Sequence, residues 1–296
     1  MGQPSRFVLT RKELNLKATD IFSDPMKHFL WLDRMVELEL APISGINVGA
    51  VGLGSSDDMI FLGINVELPG LPLHHSIHAV QFLVTNLALN SQRFLRDLVV
   101  SSNDSTFDAP CGHCRQFLQE LRESPIIKIL TKNPEKNENE YVELKSLFPR
   151  SETLILPEDF PVPLLLQTRN NGLTLTGDIC ECDDSCTHLK CRALAAANKS
   201  FAPYSKCPSG VALRDCDGKV YRGWYMESVA FNPSLGPLQA ALVDFVASGG
   251  KGFEKIVEAV LVEKKDAVVS QEKTARMILE TIAATNPMCV SNVFHC

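Results

Sequence analysis

An internal echo restricts the fold of this chain more than any other feature. Ala41-Pro42-Ile43-Ser44 returns 161 residues later as Ala202-Pro203-Tyr204-Ser205. Gly63-Ile64-Asn65-Val66-Glu67 returns at an offset of 160 as Gly223-Trp224-Tyr225-Met226-Glu227. Either match alone is weak. Two in the same order, at nearly one offset, indicate a tandem duplication that has lost one residue in between. Each echo leads into an apolar helical stretch, around 79–89 and around 239–246. The 296 residues suffice for two such domains.

Hydrophobic periodicity fills in the first copy. Residues 46–54 and 59–68 are apolar runs separated by Ser55-Ser56-Asp57-Asp58, the pattern of a strand, a turn and a strand. Residues 75–90 read as a buried helix carrying Ile77, Phe82, Val84 and Leu87. A short strand at 98–101, a helix at 111–123 and another strand at 126–131 follow. Strands alternating with helices predict an α/β layered domain. Upstream, Ile21, Phe29, Leu32 and Val36 give residues 11–38 a helical period that ends before Pro42. The expected organisation is an N-terminal helical segment (1–40), a first domain (41–166), a polar linker (167–190) and a second domain (191–296).

Composition matters for what it disfavours. A formal net charge of -6 with no basic run argues against general nucleic-acid binding. No apolar stretch approaches the roughly 18 residues of a membrane span, and the first residues lack a signal-peptide core, so a cytoplasmic protein is expected. None of the ten cysteines lies before Cys111. In a cytoplasmic chain a disulfide framework is not expected, and metal binding or buried thiols are.

The chemistry concentrates in His78 and in Pro110-Cys111-Gly112-His113-Cys114. Cys111 and Cys114 lie on one face of a helix start, where exposed N–H groups favour thiolates. His78 opens a second helix that could meet the first. A lone Cys-X-X-Cys could be redox-active or structural, and a lone histidine on an apolar helix is more often packed in a core. Together they form a His/Cys/Cys set that leaves one zinc position open, as catalytic zinc sites do.

These residues resemble the cytidine deaminase family, whose signature is H-x-E…P-C-x-x-C. The match rests on Leu71–Ala79 and Pro110–Gln116, and the two-repeat, dimeric, plant members are the most similar. The resemblance implies tandem three-layer α/β/α domains, zinc on His78, Cys111 and Cys114, and hydrolytic deamination of cytidine or deoxycytidine, a pyrimidine-salvage reaction that releases ammonia. It implies that the Asn65-Val66-Glu67 strand binds the ribose, that the second domain is degenerate, and that the protein is a homodimer. It also implies a glutamate two residues after the histidine, which carries protons to the ring N3 and the leaving amine.

That glutamate is absent: Val80 stands in its place. A valine side chain can neither take nor give a proton. Gln81 points elsewhere on the helix and is not acidic, and the resemblance implies that Glu67 is occupied with the sugar. Two further departures point the same way. Ile46 replaces a base-stacking aromatic residue, and the stretch 101–108 is longer than the family's link. The expectation is an inactive homologue that binds zinc and a nucleoside. The alternatives are an enzyme with a substitute proton shuttle and a non-catalytic dimer partner of an active relative. In the second copy a gapless offset sets Leu238, Gln271 and Thr274 opposite the three ligands, so that copy should hold no metal. The cluster Cys180, Cys182, Cys186, His188, Cys191 fits either a second metal site or a solvated linker, and its spacing favours the linker. His74 and His75 read as loop residues and His113 as a solvent-facing helix residue.

Overall fold

The computed structural model describes residues 7–10, 40–56, 58–102, 109–133, 136, 138–148, 164–175, 188–283 and 290–296. The expected helix at 11–38 and residues 103–108 of the long link lie outside them. The chain divides into two compact units, Met1–Glu67 with Leu73–Gln167, and Leu68–Pro72 with Thr168–Cys296.

The first unit is built on a six-stranded sheet. Its strands are β1 (Val8–Thr10), β2 (Val48–Leu53), β3 (Met59–Ile64), β4 (Asp97–Ser102), β5 (Lys128–Asn133) and β6 (Glu138–Glu143), in the order β1-β3-β2-β4-β5-β6. All neighbours are antiparallel except β4 and β5. A parallel pair needs a crossover, and helix α2 (Gly112–Leu118) lies in the connection. Helix α1 (Ala79–Leu89) is buried from Ala79 through Leu87, so its apolar character runs all the way round. Within the expected N-terminal helical segment, residues 8–10 are instead a strand. The Phe7 ring packs on Phe82 at 4.8 Å, and the Asn86 amide donates to the Phe7 and Leu62 carbonyls.

The second unit repeats this path. Helix α3 (Leu189–Asn198) precedes β7 (Ser209–Asp215), β8 (Val220–Trp224), helix α4 (Pro237–Ala247), β9 (Ile256–Glu263), helix α5 (Glu272–Ile282) and β10 (Val290–His295). The sheet order is β10-β9-β7-β8, again with one parallel pair, β9 and β10. Ala193 and Ala197 of α3 pack on Ala212, Val260 and Val262, while Leu238 of α4 and Leu279 of α5 lie with Val211 and Leu261. Alternate residues of β7 thus face different helices, which makes three layers. The fold is α/β. Among the described residues, no helix is long and apolar enough to cross a membrane.

One pair of glycines sets the helix-to-sheet distance. A Cβ on Gly63 would run into the Ala79 carbonyl and the Leu83 amide of α1. A Cβ on its counterpart Gly223 would run into Ala241, Ala240 and Pro237 of α4. Backbone meets backbone there, which only glycine allows.

The expected linker is packed where it is described. The Asn171 amide donates to the carbonyls of Ala197 and Ser200, Leu173 pairs with the Asn198 amide, and the Arg169 guanidinium lies over Phe201. Its polar composition serves backbone groups that would otherwise go unpaired. Cys180, Cys182 and Cys186 lie outside the described residues. Cys191 is disulfide-bonded, against the expectation from composition, and so is not a ligand thiol. Cys111, Cys114, Cys207, Cys216 and Cys296 are free.

Replacing Gly63 by alanine should lower stability to denaturant by more than about 2 kcal/mol, because the contact is with backbone that must move. Gly112→Ala, whose new atom meets nothing within 4 Å, should be neutral or mildly stabilising. Equal unfolding midpoints for the two variants would contradict this account of the interface.

Candidate metal and nucleoside site

The site forms where α1 and α2 begin. The chain enters α1 through a backbone bridge in which Val66 and Ile77 exchange both hydrogen bonds at 2.9 Å. His78 follows in an extended conformation as the helix cap, and its N–H donates to the Gln81 side chain at 3.0 Å. Cys111 is the cap of α2, without such a side-chain bond, and Cys114 lies one turn in. The Nδ1 of His78 lies 3.5 Å from the Cys111 sulfur and 3.6 Å from the Cys114 sulfur.

These distances test the donor set directly. Zinc–nitrogen and zinc–sulfur bonds of about 2.0 and 2.3 Å at tetrahedral angles require N···S separations of about 3.5 Å. All three ligand atoms lie within 4.8 Å of one another. The site therefore fits a zinc ion with one position open.

Electrostatics prepare the thiols. Cys111 is pulled down to about 3, first by its hydrogen bond with Cys114 and, against burial, by His78. Cys114 is pushed up because it shares a proton with Cys111 and is buried. A backbone hydrogen bond from Val80 partly offsets this rise. Val80 thus still touches the site through its main chain, although its side chain is only apolar wall.

His113 is not solvent-facing. Its ring stacks on His78 with centroids 4.2 Å apart and planes within 8°, and its Nε2 is buried without a hydrogen-bond partner among the described residues. Burial, then the charge of His78, lowers it to about 4. Helical spacing alone could not show this, because α2 presents His113 to another helix. His74 and His75 form a short 3-10 turn with Leu73 before the cap.

A cleft of about 390 Å³ opens over the ligands, with Ser44, Ile46, Asn65, Glu67, Ser76 and Val80 in its wall. Ile46 stands at the wall with 54% of its surface exposed. The Asn65 amide accepts from Val48 N–H and donates to the Ile46 carbonyl, both at 2.8 Å. The Glu67 carboxylate accepts from the amides of Ile43 and Ser44 and from the Ser44 hydroxyl. Burial would raise its pKa, but the Ser44 hydroxyl and the two amides prevail and lower it. Val66 does not reach the cleft. Strand alternation turns it into the core, where it is fully buried.

The second unit keeps the frame and drops the chemistry. Met226 and Leu235 form the bridge that Val66 and Ile77 form in the first. The cap opposite His78 is therefore Gly236, held by Gln239 as His78 is held by Gln81. The intervening loop is two residues shorter, which the gapless offset ignored, so Leu238 stands opposite Val80. Gln271 caps α5 as Cys111 caps α2, and Thr274 follows it. Glycine, glutamine and threonine make no zinc site.

Comparison with known proteins decides the family. Residues 30–129 and again residues 144–276 match the description "Cytidine and deoxycytidylate deaminase zinc-binding region". The chain belongs to the cytidine deaminase family. Cytidine deaminase 6 of Arabidopsis thaliana is 58% identical over 270 residues, covering 90% of each chain. Cytidine deaminase 7 of the same plant is 57% identical over 297 residues, covering 98% of this chain and 94% of its own. A third Arabidopsis relative, 46% identical over 302 residues and covering 100% of this chain and 98% of its own, is named "Probable inactive cytidine deaminase 4". Zinc is the metal of this family, and the His78, Cys111 and Cys114 group is compatible with it.

Purified protein should carry about one zinc ion per chain, and His78→Ala or Cys111→Ser should reduce this to background by elemental analysis. Retention of metal by both variants would mean that the ion sits elsewhere. The lowered pKa of Glu67 also makes a pH prediction. A depressed carboxylate contributes stability above its unfolded value, about pH 4.5, and loses it as pH falls through the folded value. Wild type should therefore exceed Glu67→Gln in unfolding free energy at neutral pH, and the gap should close in acid. A pH-independent gap would show that the charge is not what matters.

Proposed function

We propose that this protein is a zinc-binding cytidine deaminase homologue that holds a pyrimidine nucleoside without turning it over. One observation carries the proposal: among the described residues, the cleft wall contains a single carboxylate, Glu67. Hydrolytic deamination needs a group that takes a proton at the nucleophile and delivers protons to the base. Val80, at the position where the family resemblance calls for that acid, has no such group. Glu67 cannot stand in. Three hydrogen bonds fix it on the turn at 43–44, and its lowered pKa keeps it ionised and without a proton to donate.

Binding capacity remains. When bound, zinc on His78, Cys111 and Cys114 would supply a polarised water. Asn65 keeps one N–H and one lone pair beyond its two backbone contacts, and Glu67 keeps a lone pair beyond its three. These suit the donor and acceptor hydroxyls of a sugar. Val48, Val80 and Val100 give the base an apolar surround. The proposal includes a cytoplasmic homodimer that does not bind nucleic acid. Phe231 (83% exposed) and Val268 (88% exposed) are apolar side chains of the second unit that a second copy would cover.

Zinc-loaded protein should release no detectable ammonia from cytidine or deoxycytidine. Val80→Glu should raise the rate at least about 100-fold over the parent, the lower end of the contribution of a positioned acid/base. Turnover by the parent at ordinary enzyme rates would overturn the proposal. Silence of Val80→Glu with zinc bound would place part of the defect at Ile46 or in the link at 101–108.

A further inference from the structure

Ser76 lies in the cleft wall, two residues before His78, and nothing above gives its hydroxyl a task. Its Oγ is buried and has no hydrogen-bond partner among the described residues. Leaving a buried hydroxyl unpaired is unfavourable, so such an atom beside a cleft points to something the cleft receives.

The second repeat shows what satisfies this position. Ser234 is the counterpart of Ser76: each donates its N–H to the residue three before it, Phe231 or Leu73, and each stands two residues before a helix cap. Ser234 Oγ accepts from Ser228 N–H at 2.9 Å, faces the Ser228 carbonyl at 3.5 Å and lies beside the Tyr225 phenol. Tyr225 holds the register of Asn65, because its N–H donates to Ser209 O just as that of Asn65 donates to Val48 O. Its phenol also lies near the side chain of Gln271, the counterpart of Cys111. The phenol ring therefore crosses from the strand to the helix caps, through the space that the shorter Asn65 leaves open in the first repeat. There the space is the cleft.

We infer that Ser76 is a ligand-binding residue whose hydroxyl donates to the 2-carbonyl oxygen of a pyrimidine lying where the second repeat carries its own tyrosine ring. The inference rests on the nucleoside site proposed above and adds a contact to it. A flat six-membered ring occupies one copy of the pocket as a side chain, and a flat six-membered ring enters the other as a ligand.

Calorimetric titration of the zinc-loaded protein with cytidine and with 2-thiocytidine tests this. Wild type should bind cytidine more tightly than the thio compound, whose sulfur is the poorer acceptor. Ser76→Ala should bind cytidine about tenfold more weakly, with zinc content unchanged, and should lose the preference for oxygen over sulfur. Ser234→Ala, which alters the occupied copy, should leave cytidine affinity within twofold of wild type. Ser76→Ala within twofold of wild type, or an unchanged oxygen preference, would overturn the assignment of Ser76 alone. Absence of cytidine binding by the wild type would overturn the nucleoside site itself.

Discussion

The entry of the chain into α1 is the constraint on which the rest of the cleft depends. Three backbone contacts hold it: the Val66–Ile77 bridge, the Gln81 side chain on the His78 N–H, and the close approach of Gly63 to Ala79. With that corner fixed, His78 projects toward the start of α2, and the Cys111 and Cys114 sulfurs stand at tetrahedral separation from its Nδ1. The second unit holds the same corner by Met226–Leu235, Gln239 and Gly223. It does so with no metal ligand in place, so the corner is a device of the fold that the metal site exploits.

Comparing the two copies separates residues that fold the domain from residues that act in it. Glu67 and Glu227 both receive the backbone of the preceding turn, at Ile43–Ser44 and at Tyr204–Ser205. A carboxylate kept in a copy without ligands is in the first place a clamp, and whatever it offers a sugar is additional. By contrast, His78, Cys111, Cys114 and Asn65 are matched by Gly236, Gln271, Thr274 and Tyr225. Val80 is the exception. It is matched by Leu238, so at position 80 the metal-competent copy carries the same kind of residue as the degenerate one.

Much of this was legible in the sequence, for physical reasons. The duplication, the α/β alternation and the His/Cys/Cys set depend on local periodicity and on residue types with few other uses. What escaped depends on contacts between elements. Helical spacing sends His113 to solvent because it does not reveal a neighbouring helix. The family resemblance groups Val66 with Asn65 and Glu67, although strand alternation turns its side chain into the core. A gapless offset put Leu238 opposite His78 because loop shortening leaves no mark on the helices around it. Residues 168–175 looked like a solvated linker because their asparagines pair with backbone rather than with water. Ser76 carries no sequence signal at all, and the lack of a partner for its hydroxyl among the described residues becomes visible only once the cleft is built around it.

The central claim is that binding and turnover come apart in this protein. The most direct test is to saturate the zinc-loaded protein with cytidine, remove free ligand, denature the complex and separate the released nucleoside by chromatography. The account predicts zinc and nucleoside each near one per chain, with the nucleoside recovered as cytidine after prolonged incubation. Recovery of uridine would show that the cleft completes the reaction without an acid at position 80 and would contradict the account.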